Sequence, residues 1–241
     1  MEPIHRRVNK TSHSVSRLYG LGYDSTSDDY KIIRIDAFDG VCDYGLPDEI
    51  LAIKSASRKK TSECAAGPCG ILPRISELCL AFVERAFHWE SGHVYSHCVV
   101  TFNISNETYG NMSLPVRLYS NTSEETGVSP VGGRLCYHHD DGINFNLWVM
   151  KDYGMKESWT KWFSIPNNMK CYITPIYRFS NDEVLLSCLY EKADYEFVYK
   201  TANGSSNLMW PQHSNDIMHP KTIMDGFVYT ESLISSRLDD L

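Results

Sequence analysis

The sequence predicts a mainly β protein, a propeller-like antiparallel array of short strands, with a β-sandwich as the alternative. Three observations carry this. Short runs of β-branched and aromatic residues alternate with clusters of Gly, Asn, Asp and Ser. Few segments hold a helical period for even about ten residues. A weak repeat, opening on a Gly or Asn-Asp turn and closing on Pro, recurs at the spacing of propeller blades.

In chain order, residues 1–17 are polar and unpatterned and read as a disordered N-terminal segment. Tyr30–Ile35 is a β-branched strand behind the turn cluster Asp24–Asp29. Ile75–Phe87 fits either a helix or two β-runs. Cys98–Ile104 is a second strand, turned by Asn106-Glu107-Thr108. Arg134–Tyr137 and Phe145–Met150 flank a turn at His139–Gly142, and Trp159–Ile165 runs up to Pro166. Val184–Leu189 follows the Asn181-Asp182 turn. The repeat units begin at Gly92, Gly133 and Asp182 and close at Pro115, Pro166 and Pro211. Their starts lie 41 and 49 residues apart, within the range of roughly 40–50 for units that bury their faces only by stacking on neighbours.

A chain of 241 residues buries roughly 70–75% of its unfolded surface and needs no staples to fold. Apolar residues make up 42% and charged residues 22%, the balance of a globular protein. The net charge of −7 speaks against non-specific nucleic-acid binding. The basic runs His5-Arg6-Arg7 and Arg58-Lys59-Lys60 are short and read as solvated surface. No apolar run is long enough to cross a membrane, and MEPIHRRVNKTSHSVS lacks the apolar core of a signal peptide. The expected location is intracellular, cytoplasmic or nuclear. The eight irregularly spaced cysteines (Cys42, Cys64, Cys69, Cys79, Cys98, Cys136, Cys171, Cys188) are then expected to be free thiols. The Asn-x-Ser/Thr sequons at Asn9, Asn103, Asn106, Asn111, Asn121 and Asn203 carry no weight without a secretory signal.

No constellation of residues commits to chemistry. In His138-His139-Asp140-Asp141-Gly142, adjacent histidines of a strand point to opposite faces and chelate poorly, while Asp-Asp-Gly makes a hairpin turn. His93, His97 and Cys98 lack the spacing of a zinc site with Cys64 or Cys69, whose own spacing spans a Gly-Pro loop. Glu124-Glu125 and Asp239-Asp240 lie in solvated segments. There is no nucleophile elbow and no phosphate loop. Trp148, Trp159 and Trp162 fit the core better than a stacking platform. Catalytic, metal and cofactor sites are therefore read as none, and the chain is read as not an enzyme.

Four segments resemble the plant F-box-associated domain: Tyr19-Gly-Leu-Gly-Tyr-Asp24 leading to Asp28-Asp-Tyr-Lys31; His88-Trp89 with Val99–Pro115; Trp148–Gly154 with Ser158–Lys161; and Phe227–Ile234. Gly20 and Gly22 suit tight backbone, and Tyr23 and Tyr30 read as core aromatics with tethered hydroxyls. The chain departs from the family where Ile53–Arg58 lacks a Trp and where Arg85-Ala86 stands in place of a Gly. The resemblance covers residues 18–235 as one domain, followed by a tail, 236–241. It implies a protein-binding, substrate-recognition domain of the kind that selects targets for an SCF ubiquitin ligase, using loops at one end of the β array. The helical F-box is expected to be missing: only 17 residues precede Leu18, and Gly45–Leu51, which looks like an F-box opening, runs into a segment that cannot form amphipathic helices. A Skp-type adaptor and cullin then join only if an F-box is supplied elsewhere. The target is unknown, and neither nucleic acid nor membrane is expected as partner. The alternatives are a small-molecule or glycan-binding propeller and an enzyme on the same scaffold, with His138, His139 and Asp140 the first residues to test.

Overall fold

The computed structural model describes residues 15–38, 49–61, 80–93, 96–116, 125–167, 171–190, 193–201 and 203–210. These form four four-stranded antiparallel sheets in a propeller-like ring, which decides against the sandwich. Blade 1 holds β1 (Val15–Asp24), β2 (Asp29–Phe38), β3 (Glu49–Ala52) and β4 (Ser57–Lys60). Blade 2 holds β5 (Ala81–Val83), β6 (Ala86–His93), β7 (Ser96–Asn103) and β8 (Thr108–Ser113). Blade 3 holds β9 (Glu125–Val131), β10 (Arg134–Asp140), β11 (Asn144–Met150) and β12 (Trp159–Pro166). Blade 4 holds β13 (Tyr172–Arg178), β14 (Glu183–Tyr190), β15 (Ala193–Lys200) and β16 (Ser205–Trp210). Within each blade the strands pair in sequence order, so every connection is a hairpin. Among the described residues the only helix is one 3-10 turn, Lys156–Ser158.

The first strand of each blade faces its neighbours: β1 meets β5 and β6, and β9 meets β5, β6 and β13. The apolar core is accordingly divided among the joints. Leu18, Ile33, Ile35 and Ile50 of blade 1 pack on Phe87, Trp89 and Phe102 of blade 2. Val99 packs with Leu135, Tyr137 and Trp159 between blades 2 and 3. Phe145, Leu147 and Phe163 meet Ile173, Leu186 and Tyr199 between blades 3 and 4. Blade 3 is covered on both sides, so Leu135 to His138 are buried without a break, as happens wherever both faces of a sheet are covered. Blade 1 alternates instead, with Leu18, Gly20, Gly22 and Asp24 buried and Tyr19, Leu21 and Tyr23 exposed.

The sequence repeat is real but out of phase. Its Pro closures fall just beyond β8, at the last residue of β12 and just beyond β16, while its starting turns lie inside the blades. Blades 2, 3 and 4 begin at residues 81, 125 and 172, 44 and 47 residues apart. The ambiguous segment ending at Phe87 is, from Ala81 onward, the strand β5, the Glu84-Arg85 turn and the start of β6, and its residues 75–79 lie outside the described set. Glu49–Leu51, the end of the F-box-like stretch, belongs to β3. The C-terminal match at Phe227–Ile234 lies outside the described residues.

One expectation about the cysteines is corrected. Cys171 and Cys188 form a disulfide, with Cα atoms 5.9 Å apart. The β13–β14 register sets Ile173 opposite Cys188 and so brings the buried Cys171 alongside it, a proximity that spacing in sequence does not reveal. Cys136 is a buried free thiol, its pKa pushed up to about 12 by burial, which keeps it protonated and inert.

Gly20 and Gly22 sit within β1 where blade 2 approaches most closely. A Cβ at Gly20 would lie 2.6 Å from the Phe87 ring, and one at Gly22 2.4 Å from the Phe82 ring. Neither ring can retreat without disturbing the joint. Gly22→Ala is therefore expected to lower unfolding free energy by about 1–3 kcal/mol, the usual cost of overpacking, measured by urea denaturation. Phe82→Leu should recover part of the loss. An unchanged urea midpoint for Gly22→Ala would sink this account of the joint.

Candidate protein-binding surface

The polar residues of the sequence motifs converge on the joints. At the first joint Asp24, 1% exposed, forms a 2.8 Å ion pair with Lys31. Lys31 Nζ also donates to the Ile104 carbonyl at 2.8 Å, and Ser105 Oγ donates to Asp24 at 2.7 Å, so the β1–β2 hairpin of blade 1 is tied to the β7–β8 turn of blade 2. Burial opposes ionisation of Asp24, but donors from Lys31, Ser105, Ser27 and Thr26 outweigh it and hold its carboxyl far below the usual range. Asp29 accepts from the Lys54 and Ser55 amides and fixes the neighbouring β3–β4 turn.

At the second joint the His88 ring of blade 2 lies between the Ala81 carbonyl, 3.1 Å from Nδ1, and the Tyr153 hydroxyl of blade 3, 2.9 Å from Nε2. A carbonyl can only accept, so Nδ1 carries the proton of the neutral ring and Nε2 accepts from Tyr153. Burial lowers the His88 pKa to about 4, against the partial opposition of backbone hydrogen bonds. Trp159 Nε1 reaches back from blade 3 to the Ser113 carbonyl at 3.1 Å. At the third joint the Arg178 guanidinium lies 4.8 Å over the Trp162 ring. Asn167 links Asp140 of blade 3 to the amide and carbonyl of Cys171 entering blade 4.

The reactive-looking cluster is dispersed by this architecture. His138 is fully buried with its ring near Phe145 and Tyr172, and burial lowers its pKa to about 3. Neither ring nitrogen finds a hydrogen-bond partner among the described residues. Asp140 bonds Asn167 and the Gly142 amide, and Asp141 accepts from the Ile143 and Asn144 amides. Among the described residues no group of three His, Cys, Asp or Glu side chains is placed to hold a metal ion. Cys64, Cys69, Glu124, Asp239 and Asp240 lie outside the described residues. Trp159 is buried, while Trp148 and Trp162 are partly buried with Lys161 and Arg178 over their rings.

What remains available is at the surface. The β1–β2, β3–β4, β7–β8 and β11–β12 turns lie at one end of the array, as the Asp24, Asp29 and Tyr153 contacts require. The β11–β12 turn, residues 151–158, is the longest described hairpin connection. Ser158 Oγ donates to the Asp152 or Met155 carbonyl and accepts from the Asp152 amide, and Met155 N bonds Asp152 O. Gly154 adopts φ +82°, which closes the turn without strain. On this fixed loop Met155 is 56% exposed and Tyr153 keeps an exposed edge beside the Glu84-Arg85 turn of blade 2. A second exposed group, Tyr19, Leu21, Tyr23 and Tyr30, covers the outer face of blade 1. The reading of Tyr23 and Tyr30 as core aromatics is thus corrected. The Tyr23 hydroxyl is tethered to Asp28, but odd-numbered residues of β1 point away from blade 2. The strict alternation around Gly20 and Gly22 was the signal for this; the aromatic content masked it.

Comparison with known proteins accounts for the coincidence of motifs and joints. The model of the F-box associated beta propeller domain matches residues 4–236. The chain belongs to that family. It is 27% identical to the Arabidopsis thaliana F-box protein CPR1, a match covering 70% of this chain and 46% of that protein. It is 26% identical to the Arabidopsis F-box protein At4g22390 over 80% of this chain and 49% of that one, and 24% identical to the F-box/kelch-repeat protein At3g23880 over 78% and 52%. The matches thus span about half the length of these relatives. Among solved structures, TolB from Acinetobacter baumannii aligns over 83% of this chain and 44% of that one at 8% identity and a TM-score of 0.44. No helix among the described residues is long and apolar enough to cross a membrane.

Two predictions follow from the joints. Asp24→Asn leaves the buried Lys31 with only Glu107, 3.9 Å away, as counter-ion and should cost about 3 kcal/mol, the low end for breaking a buried pair, most of it recovered by also making Lys31→Met. Equal loss in the single and double variants, measured by chemical denaturation, would contradict the ion-pair account. The acid profile should show two windows. His88 and His138 have folded pKa values of about 4 and about 3, below the unfolded value of about 6.5. Their stabilisation is complete above pH ~6.5 and is lost as pH falls through that value towards the folded ones. Asp24 loses its contribution only below about 3.9. His138→Leu should flatten the fall in Tm between pH ~6.5 and ~4; an undiminished slope counts against burial of a neutral His138.

Proposed function

We propose that this chain is a target-binding module, and that the exposed face of the 151–158 turn with the adjoining hairpin ends contacts a protein partner. One observation carries the reading. The motif residues Asp24, Lys31, His88 and Trp159 are consumed in fastening blades, whereas Met155 and the edge of Tyr153 remain exposed on a loop whose backbone is already fixed. A rigid loop on a rigid scaffold spends little entropy on binding. Membership of the F-box-associated family supports selection of a target for an SCF-type ubiquitin ligase. A Skp-type adaptor and a cullin join that assembly only where an F-box is present, and the domain itself acts by binding, in the cytoplasm or nucleus, not by catalysis.

The test is affinity purification of the tagged chain from Arabidopsis extract, wild type beside Met155→Glu, read by mass spectrometry. The expected result is a protein retained by the wild type and lost from the variant, with no adaptor or cullin in either sample. An identical set of bound proteins removes the turn from the binding surface. Direct co-purification of adaptor and cullin overturns the view that the ligase is recruited only through an F-box.

A further inference from the structure

The Cys171–Cys188 bridge lies where blade 4 is fastened to blade 3. Cys171 precedes β13, and the Asn167 side chain holds its amide at 3.2 Å and its carbonyl at 2.7 Å. Asn167 is in turn held by blade 3, its amide donating to the Ile143 carbonyl at 2.8 Å and its side chain to Asp140. Cys188 belongs to β14. The bond therefore ties the second strand of blade 4 to a segment clamped on the β10–β11 turn. Every described buried apolar side chain of blade 4 (Ile173, Val184, Leu186 and Tyr199 besides the cysteines) belongs to the cluster shared with blade 3. One covalent bond is thus placed to act on how that blade is held.

We propose that Cys171–Cys188 is a redox-operated clasp, opened by a dithiol reductant and closed by a disulfide oxidant, that tightens or loosens the seating of blade 4 on blade 3. Two observations fit the joint to both states. The contacts of Phe145, Leu147 and Phe163 with Ile173, Leu186 and Tyr199 do not run through the sulfurs, so an opened bond leaves the apolar cluster packed. Asn167 Oδ1 lies 3.4 Å from Cys171 Sγ. A disulfide sulfur has no proton to donate and a thiol has one, so reduction gives Cys171 an acceptor already in place. The exchange is a two-electron step. A thiolate of the reductant attacks one sulfur to form a mixed disulfide, and its second thiolate displaces the protein thiol. The reductant leaves as a disulfide, and Cys171 and Cys188 gain its two electrons and two protons. Cys171 is 5% and Cys188 4% exposed, so the reductant reaches them only when this end of the β13–β14 hairpin opens. The location proposed above is reducing, where a protein disulfide is ordinarily transient or redox-sensing; the chemistry of the clasp can be followed on the purified chain whatever its location.

The full chain, equilibrated without denaturant in buffers of reduced and oxidised dithiothreitol at varied ratio, tests this. Alkylation and peptide mass spectrometry should show the Cys171–Cys188 bond appearing and disappearing reversibly as the ratio changes. The cysteines lie 17 residues apart, and release of that loop should lower Tm by about 5–10 °C in the reduced form. The reduced protein should remain folded by far-UV circular dichroism. Its β13 and β14 amides should exchange with deuterium at least about tenfold faster, with β1 and β2 unchanged. Cys188→Ala should abolish the redox response of Tm, and Cys98→Ala, in blade 2, should keep it. Failure of the bond to form under oxidation overturns the proposal. So does a bond that opens only in denaturant, because it is then a fixed staple. Equal Tm and equal exchange in the two forms of the wild type overturn it as well, and that comparison stands even where a variant does not fold.

Discussion

A four-stranded sheet with apolar residues on both faces cannot hide them within itself, and everything else in this protein answers that constraint. The three buried clusters are shared between adjacent blades, none belonging to one blade alone. Apolar burial fixes that blades must stack, but it is non-directional and says little about angle or register. Direction comes from the polar fasteners. The Asp24–Lys31 pair reaches the Ile104 carbonyl and Ser105 hydroxyl only if the turns of blades 1 and 2 stand level. The His88–Tyr153 bond makes the same demand between blades 2 and 3, and the Arg178–Trp162 stack between blades 3 and 4. A misplaced blade leaves a buried charge or ring nitrogen without a partner, and that penalty selects one arrangement.

This division of labour explains why motifs marking the family are poor guides to what it binds. Gly20 and Gly22 are needed because the Phe87 and Phe82 rings occupy the space a side chain would take. Asp24, Lys31, His88 and Trp159 hold blades together and are buried. On the proposed reading, the residues able to vary with a target are those the fasteners leave exposed, on turns whose backbone the fasteners fix. The 151–158 turn shows both halves of the arrangement, with Tyr153 anchoring its base to His88 and Met155 facing water.

Much of the fold was legible because strands and hairpin turns are local. Tyr30–Ile35, Arg134–Tyr137 and Trp159–Ile165 lie in strands where alternation and turn residues placed them. The repeat was found with its phase wrong, because conspicuous Gly and Asn-Asp turns lie inside blades while the boundaries between blades lack a common residue. Hidden from sequence was whatever depends on which face of a strand meets another blade. Tyr23 and Tyr30 carry the composition of a core and the parity of a surface, and parity prevailed. The Cys171–Cys188 bridge depends on a strand register that no cysteine spacing encodes. The surface turn was visible as a polar centre between apolar flanks, but its rigidity rests on Ser158 bonding back to Asp152 and Met155, a closure seen only in three dimensions.

The Glu84-Arg85 turn beside Tyr153 shows how the scaffold sustains a local misfit. Both residues have positive φ, 48° and 62°, in a two-residue hairpin where Gly or Asn is the comfortable choice. Such geometry costs on the order of 1 kcal/mol or more per residue for side chains with a Cβ. It persists because the strands on either side leave no alternative. Ala86 and Val83 are buried as a cross-strand pair, and the Arg85 carbonyl accepts the Ile104 amide from the turn that also holds Lys31. Relaxing the turn would break contacts at two joints at once. The result is a charged, exposed pair of side chains presented in a fixed direction next to Tyr153, an arrangement that a glycine turn of the same shape could not provide.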